Sequence, residues 1–429
     1  MLTIDQNIDP EALLSTLEPF FPLVSEMADT EQDPVWHAEG NVRIHTRMVL
    51  EHAKRHWASV APVHRVAFML GCALHDVGKA RTTKRQWRPK EGDGGRECVV
   101  SPRHAVVGRS YLYPRMHRLS ARLTMQQADQ ICALVGYHHH LRAALKLHGV
   151  DGFSESPRMT AGEQARMWAL ARVGDLQRLH ALETCDTLGR TSLGGVPNRT
   201  DADRVWWLRW FKDVATFHDV WDGVPFGGWR EHFETAFAGE DPELIDAALA
   251  KATYDFGRKT ISSAEEGVAR AEHWRTGYPT LVVLCGPPGS GKSALASRYE
   301  HVVSFDTIRS EVAGGRQGRD ANDQVRLEAY KRVRAHLAED HTVVVEAPLI
   351  TRDERRSVLS IGQKHRAATH VIAFATDPET LRDRNGSLAQ PASALGLERA
   401  IAGFDFPAET EAHRMSVVDA WGERELGRV

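Results

Sequence analysis

The chain has 429 residues, 42% of them hydrophobic, and a formal net charge of -3. That length supports two domains with self-sufficient cores, and the near-neutral balance argues against a broad basic surface that grips duplex nucleic acid. Cys72, Cys98, Cys132, Cys185 and Cys285 are scattered without CxxC spacing, which excludes a disulfide framework and a thiolate zinc site and makes a reducing cytoplasm the expected compartment. The acidic, polar start and the lack of a long apolar run predict neither secretion nor a membrane span.

From Asn41 to about Leu145, apolar residues recur at three-to-four spacing, as in Val66, Ala67, Leu70 and Leu74, and predict helices without a strand. Arg81 to Glu97 is charged and carries Gly92, Gly94 and Gly95, so it reads as a loop. A break at Ser154 to Pro157 precedes a predicted helix from Ala161 to about Thr184. A loop from Gly189 to Asn198 then leads into a tryptophan-rich helical stretch, Trp206 to Trp221. Ser262 to Arg275 reads as a polar helix or linker joining two halves. Beyond Gly277 the short apolar runs Leu281–Cys285, Val302–Phe305, Thr342–Val345 and Val371–Phe374 alternate with helical segments. That alternation predicts an α/β unit with a doubly wound parallel sheet. The expected division is an all-α unit over 1–198, a helical extension and linker over 199–276, and the α/β unit over 277–429.

In the first half the informative residues are histidines beside a carboxylate. His45, the adjacent pair His75-Asp76, His104, and the run His138-His139-His140 fall on successive predicted helices. Neutral imidazole and carboxylate together suit Mn2+, Fe, Ni2+, Co2+ or Zn2+. This order resembles the HD phosphohydrolase superfamily. The resemblance implies that His45, His75, Asp76 and a distal aspartate hold one metal, and that His104, His138 and His139 complete a second. Asp175 is the preferred distal ligand and Asp186 the alternative. It also implies hydrolysis of a phosphoester by water whose pKa the metal lowers. The runs His37-Ala38-Glu39-Gly40-Asn41 and Cys185–Arg190 further resemble the HD module attached to some bacterial tRNA nucleotidyltransferases.

In the second half, Gly286-Pro287-Pro288-Gly289-Ser290-Gly291-Lys292-Ser293 lies between a predicted strand and a predicted helix. Gly286, Gly289, Ser290 and Gly291 form a backbone cradle for ATP phosphates, Lys292 reaches the β- and γ-phosphates, and the Ser293 hydroxyl ligates Mg2+. Acceptor chemistry is expected at a neighbouring strand end. Asp306 sits there, with Arg309 one helical turn on. These residues resemble the polynucleotide kinase branch of P-loop phosphotransferases, which implies that Asp306 is the general base for a 5′-hydroxyl and that Arg309 contacts an acceptor phosphate. A capping role would also explain Asp306. Arg382 and Arg384 resemble the family's lid arginines that clamp ATP. Glu346, in Val345-Glu346-Ala347-Pro348-Leu349, departs from the family's usual run.

Together the two halves resemble the bifunctional bacterial HD and polynucleotide kinase fusion. The implied substrates are RNA or DNA ends, with a separate RNA ligase as a following partner and no membrane involvement. A small-molecule or nucleoside kinase fused to an HD nucleotidase is the alternative.

Overall fold

The computed structural model describes residues 4–89, 95–145, 161–192, 201–222, 226–316, 318–388 and 391–427. The chain divides into two compact units, 1–223 and 224–429. The segment 199–276, expected as an extension and linker, is therefore shared between them.

The first unit is built on helix α1 (Val42–His56), capped by the Asn41 side chain, and α2 (Arg65–Leu74), which is buried from Ala67 to Leu74. Helices α3 (His104–Leu112) and α4 (Met125–Tyr137) pack on each other, and α4 also packs on α2. Close approach requires glycine at the turn after α2. A Cβ on Gly78 would lie 2.1 Å from the His104 carbonyl oxygen and 2.6 Å from the Gly108 nitrogen, so a side chain there would push α3 away.

The expectation of no strand is corrected between α2 and α3. Strands β1 (Lys84–Arg88) and β2 (Arg96–Val100) form an antiparallel hairpin with Lys84 opposite Val100, where the sequence reads as a loop. The predicted helix after Ala161 is also two helices. These are α5 (Ala161–Val173) and α6 (Leu176–Leu188), separated at Gly174-Asp175. The predicted break at Ser154 to Pro157 and residues 193–198 of the predicted loop lie outside the described residues.

In the second unit the segment expected as a polar linker is folded into the body. Helix Ala264–Ala271 packs on Pro242–Gly257, and Trp274 is fully buried with its indole nitrogen donating to the Arg366 carbonyl at 3.2 Å. A six-stranded sheet follows, made of β3 (Thr280–Cys285), β4 (His301–Ser304), β5 (Thr342–Glu346), β6 (Ala368–Phe374), β7 (Arg414–Asp419) and β8 (Gly422–Leu426). Their spatial order is β4-β5-β3-β6-β7-β8, parallel except for the last pair. The four predicted strands are present, and β7 and β8 are additions. Helices α7 (Phe305–Ala313), α8 (Arg319–Ala338), α9 (Arg352–Lys364) and α10 (Pro378–Asn385) lie between strands in the chain. Val282, Leu284, Val344, Ile372 and Phe374 from the central strands meet Leu295 and Ala296 in one core cluster. Parallel strands buried on both faces read as continuous apolar runs, which is why these strands are visible in the sequence. Among the described residues no helix is long and apolar enough to cross a membrane.

Candidate active sites

In the first unit, helix ends converge on Asp76. The Nε2 of His75 lies 3.3 Å from Asp76 Oδ2, and that of His104 lies 3.2 Å from Asp76 Oδ1. The Nε2 of His45 is 3.6 Å from Asp76 and 3.0 Å from Asp186 Oδ1, while His138 Nε2 stands 4.0 Å from Asp76. His139 completes the arc, its Nε2 3.1 Å from that of His104.

The other ring nitrogens fix the tautomers. The Nδ1 atoms of His75, His104 and His138 each donate to a carbonyl three residues back, at Cys72, Ser101 and Val135, in each case at 2.8 Å. A neutral ring that donates from Nδ1 presents a lone pair at Nε2. Lone pairs of His75 and His104 thus face the carboxylate oxygens of Asp76, acceptor against acceptor. In this buried setting His75 Nε2 and Asp76 Oδ1 have no hydrogen-bond partner among the described residues, and Asp76 Oδ2 meets the Lys79 ammonium. Such an arrangement is stable with cations among the donors, and the mixed nitrogen and oxygen set fits divalent first-row metal ions. His45, His75, Asp76 and Asp186 would hold one ion, and His104, His138 and His139 a second beside Asp76.

Of the two expected candidates for the distal ligand, the structure brings Asp186 to the cluster and leaves the preferred Asp175 away from it. Asp175 is exposed at the start of α6, where its side chain accepts from the Arg178 amide at 2.8 Å and pairs with the Arg178 guanidinium at 3.0 Å. Asp186 lies three turns further along α6, in the buried stripe of Leu179, Leu182 and Glu183. The spacing of that stripe, and the preference for aspartate as a helix cap, were the available sequence signals.

Four supporting residues escaped sequence reasoning. Glu39 Oε1 lies 2.8 Å from His37 Nδ1 and 3.1 Å from His45 Nδ1, orienting the latter ring. Lys79 Nζ pairs with Asp76 Oδ2 at 2.7 Å, Arg190 with Asp186 Oδ2 at 2.5 Å, and Glu183 lies 3.7 Å from His139. Burial opposes ionisation of Asp76, yet the charge of Lys79 holds it well below the usual carboxylate range. Asp186 is likewise held low, against burial, by Arg190 and His45. Burial pulls His138 well below the ordinary imidazole range, helped by His139 and His75, which keeps its lone pair available.

In the second unit the P-loop joins β3 to the short helix Lys292–Ala296. Gly289 and Gly291 have φ of 77° and 101°, in the region open mainly to glycine. The buried Lys292 Nζ donates to the Gly286 and Pro287 carbonyls, each at 2.9 Å. Burial lowers its pKa to about 8, against the charge of Glu346. Ser290 is buried, and its carbonyl accepts from the Thr376 hydroxyl at 3.2 Å. Glu346 ends β5 beside Leu284 of β3 and Ser304 of β4, and its carboxylate accepts from the Ser293 hydroxyl. Ser293 and Glu346 therefore form an oxygen pair suited to Mg2+ at the strand ends. The departure from the family's run at Glu346 thus supplies a carboxylate to the cradle.

Asp306 lies in the first turn of α7, exposed, and no hydrogen bond or ion pair engages its carboxylate among the described residues. The cap position of that helix is Ser304. Arg309 donates to the Asn322 side-chain oxygen at 2.8 Å and the Arg316 carbonyl at 3.3 Å. Arg382 is bound to Glu398 through two hydrogen bonds of 2.6 and 3.0 Å. Arg384 has no ion pair among the described residues, and a Cβ on Gly289 would lie 3.8 Å from Arg384 Cβ. Of the two arginines, Arg384 is thus the one placed beside the phosphate loop without a carboxylate partner among the described residues.

Comparison with known proteins follows the same division. Residues 42–168 match the HD domain, and residues 281–414 match the AAA domain. A multifunctional CCA protein of Psychromonas ingrahamii (strain DSM 17664 / CCUG 51855 / 37) is 35% identical over 121 residues, which is 28% of this chain and 25% of that protein. The chain thus spans about a quarter of the length of the curated relative it matches. With a metal-ligand cluster in one unit and a phosphate loop in the other, the chain joins an amino-terminal HD domain to a carboxy-terminal, kinase-like P-loop domain.

Proposed function

We propose that this chain is a bifunctional enzyme that heals nucleic-acid ends. The P-loop domain transfers the γ-phosphoryl group of ATP to a 5′-hydroxyl end. The HD domain removes a 3′ or 2′ phosphate, or opens a 2′,3′-cyclic phosphate. The observation that carries this reading is Asp306. Its unengaged carboxylate at the end of β4 is two strands from the phosphate loop, with Glu346 between. In the transfer, Asp306 accepts the proton of the attacking hydroxyl while Lys292 and Arg384 bear on the phosphoryl oxygens. Arg309, steadied by Asn322, is the group that would meet an acceptor's internucleotide phosphate.

At the HD cluster, a bound divalent metal supplies Lewis-acid polarisation of the phosphoryl oxygen and activation of water. The chain's own part is to fix the geometry. Glu39 orients His45, and Lys79 and Arg190 pin the two aspartates. A polymer substrate is also favoured by the hairpin between His75-Asp76 and His104. It presents Lys84, Trp87 and Arg88 to solvent, Trp87 with 61% of its surface exposed, and such side chains suit a phosphate backbone and unstacked bases. The resemblance of the His37–Asn41 and Cys185–Arg190 runs to the HD module of some tRNA nucleotidyltransferases accords with an RNA end, after which a separate ligase would join the healed termini.

The test is incubation with ATP, Mg2+ and a 5′-hydroxyl oligonucleotide, alongside release of phosphate from a 3′-phosphorylated one. Label should appear on the first and phosphate be lost from the second. Transfer to free nucleosides with none to the oligonucleotide would overturn the proposal in favour of a small-molecule kinase.

A further inference from the structure

The second unit carries a histidine cluster that the P-loop chemistry does not use. His301 opens β4, His336 lies in the last turn of α8, and His341 immediately precedes β5. Three elements therefore bring these rings together at the ends of the strands opposite the phosphate loop. His336 Nδ1 and His341 Nδ1 are 3.4 Å apart, and His341 Nδ1 is 3.5 Å from Glu339 Oε2. A tetrahedral ion with bonds of ~2.0–2.1 Å imposes donor separations of ~3.3–3.4 Å. The observed spacings match two edges of that tetrahedron, sharing His341 as a vertex. His301 stacks on His341 with ring centroids 4.1 Å apart and planes 18° apart, and one nitrogen of each of the three rings lies within 4.8 Å of the others. As a fourth donor, the half-exposed His301 ring would have to turn out of this stack.

We propose that His336, His341, Glu339 and His301 form a structural site for one transition-metal ion of the Zn2+, Ni2+ or Co2+ class. Three imidazoles and a carboxylate select these ions over Mg2+, which prefers an all-oxygen octahedron. The ion would tie the end of α8 to the starts of β4 and β5. Asn322, which holds Arg309, lies on the same helix about 21 Å away at the usual rise per residue. Binding there would thus stiffen the helix that positions the acceptor-side arginine.

The experiment titrates metal-free, full-length protein with Co2+, reading bound ions per chain and the visible band of tetrahedral cobalt. Three proteins are compared: wild type, His75→Ala, and the His336→Gln/His341→Gln double variant. The tetrahedral band should persist in His75→Ala and vanish in the double variant, which should lose one bound equivalent while still hydrolysing 3′-phosphate. Zn2+ should raise the unfolding temperature of His75→Ala protein. Should the double variant fail to fold, the single variants Glu339→Gln and His301→Gln serve, each expected to weaken binding by more than the roughly 10- to 100-fold attached to supporting residues. Equal stoichiometry and affinity in wild type and the double variant would overturn the proposal. So would binding by His75→Ala protein no tighter than by free imidazole.

Discussion

The sharpest test of the HD cluster is Asp186→Asn set against Asp175→Asn. The Asp186 carboxylate meets Arg190 at 2.5 Å and His45 at 3.0 Å and is buried. The amide keeps the shape but removes the charge that both partners face. Breaking a buried pair costs about 3–5 kcal/mol. Since part of the Arg190 side chain reaches solvent, with 31% relative exposure, the lower end applies, about 3 kcal/mol. Loss of a charged ligand should also weaken metal binding by more than the roughly 10- to 100-fold attached to supporting residues. Asparagine caps a helix as well as aspartate does, so Asp175→Asn should change stability by only a few tenths of a kcal/mol and leave metal content intact. The assay is metal content after dialysis, together with phosphate release from a 3′-phosphorylated oligonucleotide, with kinase activity as the folding control. If Asp175→Asn loses metal and hydrolysis while Asp186→Asn keeps both, Asp186 is not the distal ligand.

Asp306→Asn should lower phosphate transfer to a 5′-hydroxyl end by about 10²- to 10⁴-fold, the worth of a general base, without altering phosphatase activity; equal loss of both would contradict separate sites. Arg384→Ala should cut the kinase rate more than Arg382→Ala, because Arg382 is already engaged by Glu398, and steady-state kinetics of the two variants decide between them. Stability should also fall in mild acid. His370 is packed in β6 with its Nε2 2.8 Å from the Ser416 hydroxyl, and burial, then the nearby Arg414 charge, lowers its pKa from 6.5 to about 4. Above the unfolded value the ring is neutral in both states. As pH falls from 6.5 towards 4, the unfolded chain takes up a proton that the folded chain refuses, so stability drains away, on the order of 2 kcal/mol between about pH 7 and pH 5. Other buried histidines add an acid slope to both proteins, so urea unfolding should show a slope steeper by this amount in wild type than in His370→Gln. A parallel slope in both would assign the loss to other groups.

The candidate metal and phosphate sites are legible in the sequence because their chemistry restricts residue type and spacing together. His75-Asp76 must present adjacent donors from one helix end, and Gly289 and Gly291 must adopt backbone angles that other residues resist. Asp175 competes with Asp186 on sequence grounds because a helix cap and a buried ligand are the same residue type, and only the position along the α6 stripe separates them. The hairpin is invisible for a different reason. All five residues of β1 are exposed, so no apolar alternation marks the strand, and its pairing partner β2 lies beyond a charged, glycine-bearing segment of the sequence. Arg382 gives no sign of its partner, since Glu398 lies sixteen positions on and meets it only in the fold.

The two sites also differ in which partner the chain provides. Around Asp76 the protein supplies lone pairs, from five imidazoles and two aspartates, and sets Lys79 and Arg190 behind the carboxylates so that they stay ionised when buried. At the phosphate loop it supplies a donor instead, the Lys292 ammonium, with Ser293-Glu346 as the oxygen pair. An acceptor-rich pocket needs bound cations before a phosphoester can approach it, because the carboxylates would otherwise repel it. A donor-rich loop attracts phosphate directly and needs a metal chiefly to share the charge of the triphosphate. The HD reaction should thus depend on a tightly held transition metal, and the kinase reaction on Mg2+ that arrives with ATP. That difference follows from donor identity alone, and it allows a single chain to carry both without one ion serving in the other's place.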